Sequence, residues 1–320
     1  MYCMPMKQDD SHPRQATKIQ RSGVPISARI GFFLLVVFSV CNSAHSAEWV
    51  GTADTNFENG KNWMNKIQGT IMTDPPQAAK SNGTRLSIVN GSGFPLCYTG
   101  ACGATGFNEQ FLIGANKGPT GELKMTGGTL TVQQNFFAII GQTVEGKMQI
   151  QGGTVNLLGG CKDAAIPGSE IKWSLLLGNE PAGKGLVTVS GGELKIESGI
   201  EIGRGGSTGI MEISSTGRVH CGGAILFAGG EAPKCVILGV GSGVFEQDST
   251  GELLFLGGAN QGWFSFKKGS RGKISLYGYE QSGFERLVTE GRVRIDSQPT
   301  TPDHFVFRKV GNQGEYSLAP

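Results

Sequence analysis

Between Gly185 and Ile196 the chain reads G-L-V-T-V-S-G-G-E-L-K-I. Apolar and polar residues alternate, a Gly-Gly pair interrupts, and alternation resumes. Period-two alternation marks a half-buried strand. The glycine pair marks a sharp bend, because glycine reaches backbone angles closed to other residues. The pattern recurs at Gly121–Val132, Gly146–Leu157, Gly209–Cys221 and Gly243–Phe255, the last two with one extra residue in the bend. Ahead of each copy stands a short apolar run closed by glycine: Phe111–Gly114, Ala138–Gly141, Leu175–Gly178, Ile200–Gly203 and Val236–Gly239. The closing glycines are spaced by 27, 37, 25 and 36 residues, and the two long spacings predict inserts near 158–172 and 222–234.

Self-similarity at this period predicts a solenoid. A unit of about three short strands cannot bury its apolar face alone, and stacking the units puts like positions in columns. Alternation assigns Leu123, Met148, Val187, Met211 and Phe245 to one inward column. Met125, Ile150, Val189 and Ile213 form a second; Leu130, Val155, Leu194, Val219 and Leu253 form a third. The expected fold is all-β, a parallel β-helix of the commoner right-handed kind with an irregular cap at each end. Four regions follow: a signal peptide over 1–47, an N-terminal cap with the first strands over 48–110, the repeats over 111–262, and a terminal coil and cap over 263–320. The last region is dense in aromatics (Trp263, Phe264, Phe266, Tyr277, Tyr279, Phe284), with strands expected at Lys273–Leu276, Arg292–Ile295 and Phe305–Phe307. A cap is required because open solenoid ends template association.

The N-terminal 47 residues read differently. Lys18, Arg21 and Arg29 precede the apolar run Gly31–Val40, and small residues follow at Ser43, Ala44, Ser46 and Ala47. This is the order of a secretory signal peptide, with cleavage expected after Ser46 or Ala47. The run is too short to span a bilayer comfortably, so no transmembrane span is expected in the mature chain, which is placed outside the cytoplasm: extracellular, on the cell surface, or in the periplasm. Of 28 basic and 26 acidic residues, five basic and two acidic fall in this leader, leaving 23 and 24. A near-neutral mature chain gives no electrostatic case for nucleic acid. Five cysteines remain beyond the leader, and export permits disulfides. Cys97 and Cys102 are the favoured pair; Cys235 bridging Cys221 or Cys161 is the other option.

Two motifs resemble a known family. Trp49, Gly51, Asn62 and Trp63 match the W-x-G, spacer, N-W opening of exported bacterial β-solenoid proteins, among them autotransporter-like passenger regions and Gly-rich proteins with a C-terminal sorting signal. Phe266, Gly269-Ser270, Gly272–Leu276, Phe284, Leu287 and Gly291–Ile295 resemble the segment that ends such arrays. The resemblance implies a surface-exposed repeat protein, without a catalytic motif of its own.

Candidate chemistry dissolves into the repeat. Gly178–Lys184 fits the spacing of a phosphate-binding loop, but Gly185 stands where Ser or Thr should bind magnesium, and a strand pattern follows instead of a helix. Gly141–Lys147 has the same spacing at the same point of an earlier repeat, so both are expected to be turns. His220-Cys221 points to no metal, since neighbours on a strand diverge while ligands must converge; Cys221 is expected inside and His220 outside. The outward carboxylates Glu193, Glu201, Glu212, Glu246 and Glu252 read as scattered on a solvated face, with Arg204, Arg218 and Lys195 able to share a groove. No catalytic, cofactor-binding or metal residue is therefore assigned, and no cofactor is expected. The preferred function is a non-enzymatic structural or adhesive role, with a surface glycan or protein as partner. The alternatives are a carbohydrate-active β-helix enzyme (a polysaccharide lyase or hydrolase), which needs clustered carboxylates, and a scaffold subunit of a larger assembly.

Overall fold

The computed structural model describes residues 45–49, 61, 63–65, 70–71, 84–88, 96–98, 110–114, 120–134, 137–162, 171–228, 236–248, 252–256 and 261–320. Most strands run parallel and stack into a β-solenoid of about six turns. The strands form two hydrogen-bonded sheets, of 11 and 15 strands; the larger folds at its two long strands into two faces, so the repeat coils pass in order through three faces, numbered sheets 1, 2 and 3. Sheet 1 stacks His45–Trp49, Thr84–Ile88, Gln110–Ile113, Ala138–Ile140, Lys172–Leu177, Gly199–Ile202, Ile225–Phe227 and Leu253–Phe255. Sheet 2 stacks the first halves of Gly121–Gln134 and Glu145–Gly159 with Lys184–Val189, Thr208–Ile213, Val236–Val240, Gly262–Phe266 and Val293–Ile295. Sheet 3 stacks the second halves of those two long strands with Glu193–Ile196, Arg218–Cys221, Val244–Gln247 and Lys273–Tyr277.

Glycine makes the corner between sheets 1 and 2. Gly178 sits at φ +71° and donates its amide to Ile140 O of the coil before, at 2.8 Å. Gly185 then starts the next strand so close to that coil that a Cβ would lie 2.3 Å from the Ile140 carbonyl oxygen. The phosphate-loop look-alike between them is a turn stacked on its counterpart, with Asn179 N donating to Gly141 O at 3.2 Å and Glu180 N to Gln142 O at 3.0 Å.

The inward columns form as expected in four coils. Leu123, Met148, Val187 and Met211 are in register and buried, as are Leu130, Val155, Leu194 and Val219. The fifth coil departs from the expectation by one strand. Val236–Val240 stacks in sheet 2 on Gly209–Ile213, not in sheet 1, so Leu238 and not Phe245 stands opposite Met211. Phe245 pairs with Val219 in sheet 3, and Leu253 pairs with Ile225 in sheet 1. The sheet 1 strand of that coil is Ile225–Phe227, which lies inside the expected insert. Its corner residue is Ala228, whose amide reaches Ile202 O at 2.9 Å just as Gly203 N reaches Leu177 O at 2.8 Å. Ala228 takes the place that glycine holds at the earlier corners, with Gly229-Gly230 one residue later in the sequence, and the apolar run of Val236–Gly239 imitates the corner pattern. The earlier insert is real: Cys161–Lys162 leaves the coil and pairs antiparallel with Lys172–Trp173.

Sheet 1 is buried on both faces. Phe111, Ile113, Ile140, Leu177, Ile200 and Phe227 point into the solenoid core. The alternate residues Leu112, Ile139, Leu176 and Leu226 are also buried, in a second apolar cluster with Trp173 and Ala224. A parallel strand covered on both sides needs apolar residues at every position, which is why these segments read F-L-I, A-I-I and L-L-L.

Regular stacking runs on through Gly262–Phe266 and Lys273–Tyr277. Helix α1, Gln281–Thr289, follows, placing Phe284, Leu287 and Val288 on one buried face. The hairpin Phe305–Val310/Gln313–Leu318 then adds antiparallel to Lys273–Tyr277. Phe284 stacks on Tyr316 at 3.8 Å between ring centroids, and Phe305 meets Phe266 and Phe284 edge-on at 5.3 Å each. The aromatic density of this region is the cover over the last coil. The N-terminal tryptophans Trp49 and Trp63 stand opposite one another on paired antiparallel strands. Among the described residues no helix is long and apolar enough to cross a membrane.

Candidate functional site

Parallel in-register stacking sets successive strands about 4.8 Å apart, so outward residues of adjacent coils become neighbours. On sheet 3 one such row is Thr131, Asn156, Lys195, His220 and Glu246. It begins as an amide–hydroxyl ladder, Asn156 Nδ2 donating to Thr131 Oγ1 at 3.1 Å. It ends in a charged cluster. His220 Nε2 lies 3.0 Å from Glu193 Oε1, and His220 Nδ1 lies 3.0 Å from Glu246 Oε2 and 3.8 Å from Asp248 Oδ2. The other Glu193 oxygen is held by Lys195 Nζ at 3.1 Å. His220, Glu193 and Glu246 are half-buried and Asp248 is exposed. Each imidazole nitrogen therefore faces a carboxylate. Only the doubly protonated ring donates to both, whereas a neutral ring has one lone pair to offer a metal.

A second polar cluster breaks the outer row of sheet 1. There Leu112, Ile139, Leu176, Glu201, Leu226 and Leu254 stack in register. Glu201 is only 2% exposed. Arg204 hydrogen-bonds to it, and the guanidinium lies over the Phe137 ring at 5.0 Å. Burial lifts the Glu201 carboxyl to about 7, and it draws Arg204 below its ordinary range; the guanidinium in contact opposes the first shift. Glu201 is thus a buried partner of Arg204, a correction to its expected place on a solvated face.

The three basic residues able to share a groove do not all come together. Lys195 and Arg218 lie on sheet 3, while Arg204 sits at the corner after sheet 1 and turns to Glu201. Of the expected carboxylates, Glu193 and Glu246 converge on His220; Glu212 is an exposed residue of sheet 2 and Glu252 directly precedes a sheet 1 strand. Cys221 lies inside as expected, stacked on Ile196, with its thiol donating to Ser198 O at 3.5 Å. Burial pushes that thiol up to about 12. Cys161 and Cys221 are free thiols, so neither forms the alternative bridge to Cys235. Cys97 falls in the strand Leu96–Tyr98, but its side chain and Cys102 lie outside the described residues.

The His220 cluster is invisible along any single strand, because its partners come from adjacent coils. Ala228 as the fifth corner is the signal that sets Glu246 beside His220. Comparison with known proteins returns no matching family, no matching curated protein and no matching solved structure.

Proposed function

We propose that this chain is an exported, non-enzymatic β-solenoid whose outer faces serve a structural or adhesive role toward a surface glycan or protein. The observation that supports it is how the outward charges are spent. Glu145 joins Lys147 at 2.7 Å and Lys184 at 2.8 Å, Glu193 joins Lys195 and His220, and Lys273 joins Glu315 at 3.0 Å. A glycosidase or lyase leaves its carboxylates or bases facing a substrate cleft. Here Glu145, Glu193 and Glu246 are engaged by neighbouring basic groups, within a strand or from the adjacent coil. Among the described residues the one strongly perturbed carboxyl, Glu201, is 2% exposed and bonded to Arg204. What remains outside is a periodic polar wall to which each coil adds one rung, a surface that meets a long partner repeatedly. The leader and the tryptophan and terminal motifs favour export.

The test is fractionation of cells expressing the full chain, with N-terminal sequencing of the mature product. Recovery in the periplasm, medium or surface fraction with a start near Glu48 is expected; a purely cytoplasmic, uncleaved product sinks the reading. Incubating the purified protein with acidic and neutral polysaccharides should give no turnover, and sustained turnover lost in R218A would favour the enzyme instead.

A further inference from the structure

We infer that His220, Glu246 and Asp248 bind a first-row divalent transition cation, with zinc as its representative, on the outer face of sheet 3. Glu246 and Asp248 are two residues apart at the end of one strand, so they project to the same side. His220 reaches them from the coil before, in direct register with Glu246. One ligand atom from each residue lies within 4.8 Å of the others. A tetrahedral ion with bonds of about 2.1 Å separates its ligand atoms by about 3.4 Å. The observed 3.0 Å and 3.8 Å from Nδ1 to the two carboxylates bracket that edge, so small side-chain rotations close the site.

Glu193 supplies what a metal-binding histidine needs behind it. A ligating imidazole gives its other ring N–H to a carboxylate, which fixes the tautomer and raises its basicity. Glu193 Oε1 stands 3.0 Å from Nε2 and leaves Nδ1 to the ion. Lys195 holds the second Glu193 oxygen, which neutralises that carboxylate and keeps it out of the coordination sphere. Two carboxylates and one neutral imidazole balance a dication. The imidazole selects zinc-class ions over calcium and magnesium, which take oxygen ligands. Exposed Asp248 and the outward aspect leave the remaining position to water or to a group on a partner. The inference stands independently of the adhesive reading, since it rests on the ligand set alone.

The experiment is calorimetric titration of the full, untagged chain with zinc chloride, in the presence of millimolar calcium, alongside thermal melts. One zinc per chain and a rise in Tm are expected. H220Q and D248N should each weaken binding tenfold or more, and E193Q by about tenfold as the loss of an orienting group. Cobalt substitution should give visible absorption that changes in H220Q. Asp248 is exposed, so D248N should keep its fold and decides the matter if H220Q does not. Absence of stoichiometric zinc binding, calcium binding tighter than zinc, or undiminished zinc affinity in D248N overturns the inference.

Discussion

Sheet 1 and the outer row of sheet 3 share one construction, parallel strands in register, and put it to opposite use. In sheet 1 the outward row Leu112, Ile139, Leu176 and Leu226 is as buried as the inward one. In sheet 3 the outward row is Thr131, Asn156, Lys195, His220 and Glu246, half-buried or exposed and wholly polar. Stacking multiplies whatever stands in a row: an apolar row becomes a second core, and a polar row becomes a ladder of paired charges. The difference is set by what covers the sheet and not by the backbone, so equal substitutions should have unequal effects.

The strongest contrast compares Leu176→Asp with Asn156→Ala, both outward. The first buries a carboxylate beside Glu201 and removes a side chain with no exposure, at a cost of about 4 kcal/mol or more. The second removes one exchangeable hydrogen bond to Thr131, worth about 1 kcal/mol. Denaturant midpoints check this directly; similar midpoints for the two variants would mean that the outer face of sheet 1 is not a core.

The Glu201–Arg204 pair is the place where sheet 1 breaks its own rule. Arg204→Met leaves the carboxylate buried alone and should cost about 3 kcal/mol at pH 8. The double substitution E201L/R204M continues the leucine row and should be neutral or stabilising by about 1–4 kcal/mol. The sign with pH follows from the raised carboxyl. Glu201 titrates near 7 in the folded chain, against 4.5 for a free glutamate side chain. Its contribution is complete below pH 4.5 and is lost as pH rises through 7, a swing of about 3 kcal/mol at most. The wild type should therefore lose stability over that window and the double variant should not; melts at pH 4.5, 6 and 8 measure it, and parallel curves would reject the pair as the cause.

Alternation and repeat length carry most of the fold. Leu194 and Val219, or Val187 and Met211, are legible as one column because strand periodicity leaves them no other face. The fifth coil misleads because Ala228 holds the corner and its glycines come one residue late, at Gly229-Gly230, so the run Val236–Gly239 is the one that fits the glycine-closed pattern. Helix α1 is hidden although Phe284, Leu287 and Val288 have helical spacing, since strands on either side set the expectation. The burial of Glu201 is not legible, because alternation tells inside from outside but not which outside is covered. The His220 cluster depends on the same register: an error of one strand moves Glu246 from beside His220 to beside Glu212.

That register has a direct, if small, energetic signature. With Gly243–Phe255 aligned on Gly209–Cys221, Glu246 would stand opposite Glu212, a like-charge pair. In the structure it stands opposite His220, with 3.0 Å between Nδ1 and Oε2. Directly opposed, opposite-charge residues on neighbouring strands couple by about 0.2–1 kcal/mol, and partial exposure keeps this pair in that range. A double-mutant cycle of His220→Ala and Glu246→Ala should give a favourable coupling of about 0.5 kcal/mol at low salt and pH 6, shrinking in 0.5 M salt as surface charges are screened. The matching cycle of Glu212→Ala with Glu246→Ala should give none, because the two side chains lie on different sheets. A repulsive Glu212–Glu246 coupling with a null His220–Glu246 cycle would restore the one-strand shift, and with it remove Glu246 from the outer row of sheet 3 and dissolve the ligand set built on it.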